Sequence, residues 1–510
     1  MHNVIEIENG VTRHPLYRMN KPVNLSIADK EQIAIIGNNG SGKSRLVDII
    51  IGKYPLLLNE VHYDFTPSPF KLVSENIKYI SFKDSYGDND GNYYYQQRWN
   101  QHDIDENTPT VGALLEEAYQ NAQNNTGYGL NETERTAANC YRDVLREQLY
   151  KMFHLSALLD KYIISLSSGE LRKFQLTKAL LSAPRLLMMD NPFIGLDTAT
   201  REQLSSLLRT LISETDLQVI LIMSKTDYIP DFITHIIPVR NLEVEEKTTR
   251  EAYILKRNIP LTTVLDADKA QRIIELAYTE EQQPTADDSG YILRCKDIAI
   301  RYGERTILKD LNWDVRLNDK WALSGENGAG KSTLLSLICA DNPQSYACNI
   351  EMFGHKRGTG ESIWDIKKHI GYVSPEMHRA YLKDIPAIDI VASGLNDTIG
   401  LYVRTKPEQK TICEFWMDLF GIASLKDRMF LSLSSGEQRL CLLARAFVKD
   451  PALLILDEPL HGLDDYHRQL AKDIISTFCH RKNKTLIMVT HYVEELPDVI
   501  THKLHLTKNI

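Results

Sequence analysis

Short, uninterrupted apolar runs recur along this chain, and each is bordered by polar, acidic or glycine-rich residues. The clearest of these runs are Gln32–Ile36, Leu186–Met189, Gln218–Met223, Trp321–Ser324, Leu453–Leu456 and Thr485–Val489. Runs this short are typical of the central strands of a parallel sheet that is covered on both faces. They fall far short of the roughly 20 residues that a membrane-spanning helix needs. We therefore predict buried strands and no direct insertion into a membrane.

Stretches with helical periodicity alternate with these runs. The apolar residues of Ser44–Gly52 and Ser332–Ala340 recur at helical spacing, and helices are also predicted at Arg172–Ser182 and Gln438–Lys449. Strands that alternate with helices favour an α/β fold built around a mainly parallel sheet with flanking helices.

The same four segments occur twice in the same order. The pairs are IAIIGNNGSGKS (33–44) and ALSGENGAGKS (322–332), SLSSGELRK (165–173) and SLSSGEQRL (432–440), LLMMDNP (186–192) and LLILDEP (453–459), and GLD (195–197 and 462–464). Copies this far apart indicate tandem domains, because solenoid repeats have periods of about 20–50 residues.

We predict domains at 1–244 and 290–510, joined by a polar connector at 245–289 with one helix near Asp266–Thr279 and a flexible tail. The first copy is longer between its first two motifs, and the extra length falls in Asp84–Asn131, which includes YYYQQRWN (93–100).

Both glycine-rich segments fit the pattern GxxxxGK[ST] between a predicted strand and a predicted helix. The glycines let the backbone wrap a polyphosphate and present N–H groups to its oxygens, and the helix directs its partial positive charge at the same anion. The predicted nucleotide-binding residues are Gly37, Asn38, Asn39, Gly40, Ser41, Gly42, Lys43 and Ser44 in the first loop, and Gly325, Glu326, Asn327, Gly328, Ala329, Gly330, Lys331, Ser332 and Thr333 in the second.

Each loop is paired with a carboxylate at the end of a buried strand. Lys43 and Lys331 are placed for the β- and γ-phosphates of a nucleotide. Hydroxyl and carboxylate oxygens suit a hydrated Mg²⁺ ion. The predicted Mg²⁺ ligands are Ser44, Asp190, Ser332 and Asp457.

Composition narrows the possible functions. The formal net charge of -9 argues against a general nucleic-acid binder, which would present a basic surplus. The seven cysteines are scattered and form no CxxC pair, which fits thiols in a reducing compartment. Met1–Gly10 contains acidic residues and no apolar run, so we expect no secretion signal. These features predict a soluble cytoplasmic protein that would need another subunit for any role at a membrane.

The combination of phosphate loop, LSSGE, Asp-ended strand and GLD resembles the ATP-binding cassette (ABC) superfamily over nearly the whole chain. LSSGE differs from the family signature LSGGQ by Ser in the third place and Glu in the fifth. The resemblance implies two P-loop NTPase domains, each with a helical subdomain that carries LSSGE, and it implies Mg²⁺-dependent ATP hydrolysis.

In that family two cassettes pair head to tail, so that each ATP is held by the phosphate loop of one and the signature of the other. The resemblance thus assigns Lys331, Asp457 and Glu458 to a site completed by Ser167, Ser168, Gly169 and Glu170. It assigns Lys43 and Asp190 to a site completed by Ser434, Ser435, Gly436 and Glu437. The family's adenine-stacking aromatic corresponds to Tyr302 in the second copy and to His14, a poorer stacker, in the first.

The two sites are not expected to be chemically equal. Glu458 follows Asp457 and resembles the family's catalytic base, and His491 resembles the switch histidine that contacts the γ-phosphate. The first copy has Asn191 and Lys225 at these places. An amide cannot accept a proton, and general-base help is commonly worth about 10²–10⁴ in rate. We predict one competent site and one degenerate site that mainly holds ATP; alternatively, another carboxylate replaces Asn191.

The glutamine that follows the phosphate loop in the family is not evident. Ser374, Pro375 or Glu376 lies near its place in the second copy, and Phe82 in the first. Since this loop commonly connects the nucleotide to a partner domain, its departure argues against conventional coupling to a transporter.

The run FGHKRGTGESIWDIKKHIG (353–371) resembles a narrower group of tandem cassettes, the ModF group, which is also known as photorepair protein PhrA. Its basic residues, Lys356, Arg357, Lys367 and Lys368, fit either a solvated face or a surface for an anionic partner.

Three functions fit these observations. The first is an ATPase that uses closure of its cassettes to act on an unidentified macromolecule. The second is the ATPase subunit of an ABC transporter, for example of the molybdate type. The third is an ABC-F-like regulator that binds ribosomes; the net charge, the lack of a long basic arm in 245–289 and the presence of Asn191 argue against it.

Overall fold

A computed structural model describes the chain except for residues 1, 59, 82–108, 125–126, 164–165, 167, 194–195, 197, 225–227, 257–262, 277–289, 303–304, 327, 361, 491 and 509–510. The chain divides into two compact units, Met1–Pro260 and Leu261–Ile510. Both units are built of alternating strands and helices, which confirms the predicted α/β fold with tandem domains. The predicted limits of the connector remain a prediction.

The first unit contains two sheets. Its strands are β1 (Asn3–Gly10), β2 (Val23–Ala28), β3 (Ile33–Ile36), β4 (His62–Tyr63), β5 (Ile77–Ser81), β6 (Leu186–Asp190), β7 (Gln218–Met223), β8 (His235–Arg240), β9 (Glu243–Val244) and β10 (Thr248–Thr249). The order β2-β1-β4 forms a small antiparallel sheet. The order β8-β3-β7-β6-β5 forms a parallel sheet, extended by β9 and β10, which each pair antiparallel with β8.

Helices cover the parallel sheet of the first unit. They are α1 (Lys43–Ile50), α2 (Val73–Asn76), α3 (Val111–Asn124), α4 (Glu132–Met152), α5 (Ser168–Leu180), α6 (Thr198–Glu214) and α7 (Arg250–Lys256). Strand β3 shows why its sequence is continuously apolar: Ile33 and Ile35 pack into one buried cluster, and Ala34 and Ile36 pack into another. Successive side chains of a strand point to opposite faces, so both faces of this strand need apolar residues.

The second unit repeats this plan. Its strands are β11 (Tyr291–Tyr302), β12 (Arg305–Arg316), β13 (Lys320–Gly325), β14 (Asn349–Met352), β15 (His355–Lys356), β16 (Ile370–Val373), β17 (Leu453–Asp457), β18 (Thr485–Val489) and β19 (His502–Leu506). The order β12-β11-β14-β15 is antiparallel, and the order β16-β17-β18-β13-β19 is parallel.

The helices of the second unit pack on its parallel sheet and form its helical subdomain. They are α8 (Ala267–Ile274), α9 (Lys331–Ile338), α10 (Ile363–Lys367), α11 (Pro375–Ala380), α12 (Ala387–Ala392), α13 (Pro407–Leu419), α14 (Ser435–Phe447) and α15 (Asp465–Cys479). In β17, Leu453 and Ile455 join one apolar cluster while Leu454 and Leu456 join the other, as in β3 of the first unit.

The predicted connector contributes structure to both units. Helix α7 follows β10 in the first unit, where Arg250 donates to the carbonyl of Ile229 (3.0 Å). Helix α8 lies where one helix is predicted, and it packs on the second unit. The backbone N–H groups of Val264 and Leu265 donate to Asp473 Oδ2 at 2.7 and 3.1 Å.

The structure also bears on the long insertion of the first copy and on the basic residues of 353–371. Of the long insertion in the first copy, 84–108 and 125–126, including YYYQQRWN, lie outside the described residues, while 111–124 form α3. Arg357 is buried and donates to the carbonyl of Ile338 (3.1 Å), so it cannot belong to a basic surface for a partner. Lys367 pairs with Asp341 (2.6 Å). Among the described helices, none combines the length and the apolar character that crossing a bilayer requires.

Candidate functional site

Both predicted phosphate loops connect a buried parallel strand to a helix. The loop after β3 opens α1 and the loop after β13 opens α9. The residues that precede the helices, Gly42 and Gly330, have φ values of 106° and 93°, in the left-handed region that glycine adopts without steric cost. Glycine at these positions lets each helix begin directly at the loop, with its N-terminal N–H groups directed to one side.

The lysine of each loop folds back over the loop backbone. Lys43 Nζ donates to the carbonyls of Gly37 (2.6 Å) and Asn38 (2.8 Å). Lys331 Nζ makes the equivalent bonds to Gly325 (2.7 Å) and Glu326 (3.0 Å). Both lysines are buried. In both loops the ammonium group is therefore held by the carbonyls of the first two loop residues.

The predicted Mg²⁺ ligands are in contact in the second unit. Ser332 Oγ at the start of α9 donates to Asp457 Oδ2 at the end of β17, at 3.0 Å. Asp457 is only 3% exposed, and burial together with the nearby charge of Glu376 raises the pKa of this carboxyl to about 7. A hydroxyl and a carboxylate side by side are hard oxygen ligands of the kind that Mg²⁺ prefers. These residues fit a magnesium ion.

The carboxylate of the first unit has different neighbours. Asp190 ends β6 and accepts hydrogen bonds from Tyr79 Oη (3.1 Å) and from Asn191 Nδ2 (2.8 Å). Burial and the adjacent carboxylate raise the pKa of Tyr79 above its ordinary value, so the phenol keeps its proton and remains a donor. The structure thus brings Asp190 together with Asn191, and Asp457 together with Ser332.

Asn191 and Glu458 share a left-handed φ and an equivalent backbone hydrogen bond. Their φ values are 49° and 50°, and their N–H groups donate to the carbonyls of Ile222 (2.8 Å) and Val489 (2.9 Å) in the neighbouring strands. The side chains differ: Asn191 donates to Asp190 and accepts from the N–H of Ser224 (3.0 Å). Glu458 carries a carboxylate instead, and the residue is 8% exposed.

The two signature helices begin inside the LSSGE motif. The prediction that they begin only after the motif, at Arg172 and Gln438, is wrong. Helix α14 starts at Ser435, because Ser434 caps it: Ser434 Oγ accepts from the N–H of Glu437 (3.4 Å) and Ser434 N–H donates to Glu437 Oε2 (2.7 Å). This is a capping box, for which the sequence signal S-x-x-E was present. In the first unit α5 starts at Ser168, and Lys161 pairs with Glu170 (2.8 Å).

Several predicted site residues lie outside the described part of the chain. These are Ser167, Lys225, Asn327 and His491, with the alternative position Phe82; of Tyr302 only the backbone is described, at the end of β11. His14 is exposed, and its Nδ1 accepts from the N–H of Leu16 (3.3 Å). Its ring lies 5.1 Å from that of Tyr17, which stacks on Tyr54 at 4.1 Å.

Sequence reasoning missed two residues that contact these sites. Tyr79 contacts Asp190, and Arg439 of α14 donates to the backbone carbonyl of Asp457 (3.0 Å). A signal existed for both. A tyrosine occupies the third place of both IKYIS (77–81) and IGYV (370–373), and an arginine stands two residues after the glutamate of both signature segments.

The sequence of this chain matches a known protein family and curated relatives. The ABC transporter family matches residues 20–194 and 308–461, which together are more than half of the chain. The ABC transporter ATP-binding protein ModF of Escherichia coli (strain K12) is 34% identical over 486 residues, covering 92% of this chain and 90% of ModF. An uncharacterized ABC transporter ATP-binding protein of Schizosaccharomyces pombe is 30% identical over 501 residues, covering 97% of this chain and 95% of its own.

A solved structure with the same fold is the complex of archaeal ribosomal stalk protein aP1 and archaeal ribosome recycling factor aABCE1. It has a TM-score of 0.52 and 19% identity, and the match covers 98% of this chain and 87% of that chain. At this identity the likeness concerns the fold alone. The resemblance of the sequence to ModF-type tandem cassettes is confirmed by the match over most of both chains. This chain belongs to the ABC transporter family of ATP-binding proteins and carries two of its cassettes in tandem.

Proposed function

We propose that this protein hydrolyses ATP in its C-terminal cassette with Glu458 as general base, while its N-terminal cassette mainly holds ATP. One observation carries the proposal. Asn191 and Glu458 share a left-handed φ and the same main-chain hydrogen bond, so an amide in one cassette occupies the backbone position that a carboxylate occupies in the other.

In the C-terminal cassette each residue has a distinct role. Lys331 and the N–H groups at the start of α9 bind the β- and γ-phosphates. Ser332 and Asp457 hold Mg²⁺, which neutralises developing phosphate charge when bound. Glu458 accepts a proton from the attacking water as the bond between the γ-phosphorus and the bridging oxygen breaks, giving ADP and phosphate.

The N-terminal cassette has the same loop and a carboxylate, but it has no base at this place. The side chain of Asn191 is engaged on both sides, by Asp190 and by the N–H of Ser224. Its amide cannot take a proton, and loss of general-base help slows such a reaction by about 10²–10⁴. We propose that this site, with Lys43, Ser44 and Asp190, retains ATP with slow turnover.

We further propose that ATP drives pairing of the two cassettes, with the signature residues of one acting on the nucleotide of the other. The signature residues that this requires are Ser167, Ser168, Gly169, Glu170, Ser434, Ser435, Gly436 and Glu437. The cycle of pairing and release would act on a macromolecular client. All seven cysteines are free, which supports a reducing compartment such as the cytoplasm as the place of action.

Steady-state hydrolysis of Mg·ATP by matched variants tests the proposal. Glu458→Gln should lower kcat by about 10²–10⁴ because the general base is lost. The Kd for ATP should stay within about threefold, which is about 0.65 kcal/mol, because the phosphate loop is unchanged. Asn191→Ala, at the corresponding place, should change kcat far less. Turnover that survives Glu458→Gln but is lost in Asn191→Ala would reverse the assignment.

The Glu458→Gln variant can also identify the client, because it binds ATP but hydrolyses it slowly. Glu458→Gln purified with ATP should hold its client longest, because the step that releases it is slowed. Co-sedimentation with ribosomes would favour the ribosome-binding alternative, and co-purification of a polytopic membrane protein would favour a transporter subunit. Retention of a different macromolecule supports the function proposed here.

A further inference from the structure

A buried arginine lies one turn into the signature helix of the C-terminal cassette. Arg439 is 2% exposed, and its guanidinium donates to four backbone carbonyls on two segments. Nη1 donates to Ser374 (3.0 Å), Nη2 to Asp457 (3.0 Å) and to Glu458, and Nε to Pro459 (3.3 Å). A single side chain of α14 thus joins the ends of β16 and β17.

These carbonyls lie at the end of β17 and directly after the ends of β16 and β17, where the sheet ladder stops. Buried carbonyls that leave the ladder need another donor. The planar guanidinium carries five N–H groups in a fixed fork, so one arginine can satisfy several carbonyls at once. Burial lowers the pKa of Arg439 to about 10, and the carboxylates of Asp457 and Glu458 act in the opposite direction. The guanidinium stays charged at neutral pH.

The backbone at Glu458 needs such support. Its φ of 50° lies in the left-handed region, which residues other than glycine adopt only when their surroundings fix it. The N–H of Glu458 is bonded to the carbonyl of Val489 (2.9 Å), and its carbonyl accepts from Arg439. The peptide groups on both sides of the side chain are therefore held, and this fixes the direction in which the Cα–Cβ bond of Glu458 leaves the backbone.

A second arginine of the same helix shows that burial alone does not create this contact. Arg445 is 4% exposed, and it donates to Ser393 Oγ (3.0 Å) and to the carbonyl of Thr398 (3.3 Å) within the helical subdomain. Its guanidinium also lies 3.6 Å from Met377 Sδ, and none of these three partners belongs to the candidate site. The position of Arg439 is also repeated: Arg172 occupies the same place in the first copy and is 4% exposed.

We propose that Arg439 is a positioning residue for Glu458, which it holds in the orientation that lets the carboxylate take the proton of the attacking water. The inference rests on the proposed role of Glu458. Because Arg439 belongs to α14, it also ties the signature helix of this cassette to the base of the same cassette. A movement of α14 would then shift Glu458.

The test compares Arg439→Gln and Arg439→Lys with Arg445→Lys, measuring kcat, the Kd for ATP and the thermal midpoint. Arg439→Gln should lower kcat by about 10- to 100-fold, because a displacement on the order of 1 Å at a reacting group can cost about 10². Its Kd for ATP should stay within about threefold, since the phosphate loop is untouched.

Arg439→Lys should retain more kcat than the glutamine variant, because an ammonium can still bond some of the carbonyls. Arg445→Lys should lower the thermal midpoint and leave kcat within about twofold, a change under about 0.5 kcal/mol.

A double-mutant cycle separates positioning from general damage. If Arg439 acts through Glu458, Arg439→Gln should add little to the loss already present in Glu458→Gln, since residues that act as a unit are strongly non-additive. The same fold loss in both backgrounds would overturn the positioning role and leave the proposed function standing. Wild-type turnover in Glu458→Gln alone would instead refute the proposed function. Full kcat in Arg439→Gln would overturn the positioning role directly.

Discussion

The hydroxyl of Ser332 donates to Asp457 Oδ2 at 3.0 Å, joining the first turn of the helix after the phosphate loop to the end of a central strand. The corresponding carboxylate of the first cassette, Asp190, accepts from Tyr79 (3.1 Å) and Asn191 (2.8 Å). The two cassettes therefore share a loop geometry and differ in what surrounds the carboxylate beside it. This difference adds to the one on which the proposed function rests, the replacement of Glu458 by Asn191 in the first cassette.

Removing the hydroxyl of Ser332 should raise the Mg²⁺ concentration needed for hydrolysis. Ser332→Ala takes away one predicted ligand and the hydrogen bond of a buried carboxylate, and bonds to charged groups contribute about 1.5–3 kcal/mol. We expect the half-maximal free Mg²⁺ in ATPase titrations to rise by about tenfold or more, which corresponds to about 1.4 kcal/mol. Ser336→Ala is the control, since Ser336 is buried in the same helix and bonds to the carbonyl of Thr333 (2.7 Å). An unchanged Mg²⁺ requirement in Ser332→Ala would remove this serine from the metal site.

A methyl group on Gly330 should damage both the fold and nucleotide binding. Gly330 has a φ of 93°, and an added Cβ would lie 2.8 Å from Leu308 Cδ2. Gly360 has a similar φ of 107°, but nothing lies within 4 Å of its added Cβ. The left-handed conformation costs an L-residue roughly 1–2 kcal/mol, so both Gly330→Ala and Gly360→Ala should lose about that much stability in urea titrations. Only Gly330→Ala should also weaken ATP binding measured by calorimetry. Equal ATP affinity in the two variants would show that the loop tolerates the added group.

Much of the architecture was predictable from the sequence because the central strands are buried on both faces. Leu453–Leu456 and Ile33–Ile36 send alternate side chains into two apolar clusters, so their continuous apolar runs identify them without knowledge of their neighbours. The phosphate loops were equally clear, because a left-handed residue before a helix and a close backbone approach both require glycine.

What could not be predicted depends on contacts between residues far apart in the chain. Tyr79 and Asp190 belong to adjacent strands, but the register that places them in contact is set by the whole sheet. Arg439 is a repeated residue in the sequence, yet the role proposed for it follows only from its contacts with the two strand ends. The start of α14 is a different case, because the capping signal S-x-x-E lies inside the family motif and defines the start of the helix from sequence alone.

The docking of α8 should depend on one carboxylate. Asp473 Oδ2 accepts from the N–H groups of Val264 and Leu265 at 2.7 and 3.1 Å, while Ile273 of α8 is fully buried. Asp473→Ala should loosen this helix, because the two N–H groups lose a charged acceptor, with bonds of this kind worth about 1.5–3 kcal/mol. Hydrogen exchange of 263–276 should become faster while β17 and β18 keep their protection.

Lys472→Ala provides the control for this prediction. Lys472 precedes Asp473 in the same helix, and its Nζ donates to the carbonyl of Glu494 (3.0 Å), away from α8. Exchange of 263–276 should match wild type in Lys472→Ala. If both variants accelerate exchange equally, α15 as a whole has been destabilised and the specific anchoring by Asp473 is wrong.

The stability of the C-terminal cassette should fall in mild acid because of His369. Burial, together with the charges of Lys368 and Lys449, lowers the pKa of this imidazole from 6.5 to about 4, and Asp365 opposes the shift. Between pH about 6.5 and about 4 the unfolded chain binds a proton that the folded chain refuses, so the free energy of unfolding decreases as the pH falls through this window. In His369→Phe, which keeps a ring beside Phe353 (5.1 Å in wild type), this contribution is absent. We expect wild type to lose about 1 kcal/mol more than the variant between pH 7 and pH 4.5 in urea unfolding, since the ring is only partly buried. Carboxylates common to both proteins cancel in the difference, so identical losses would show that His369 titrates at its ordinary pKa.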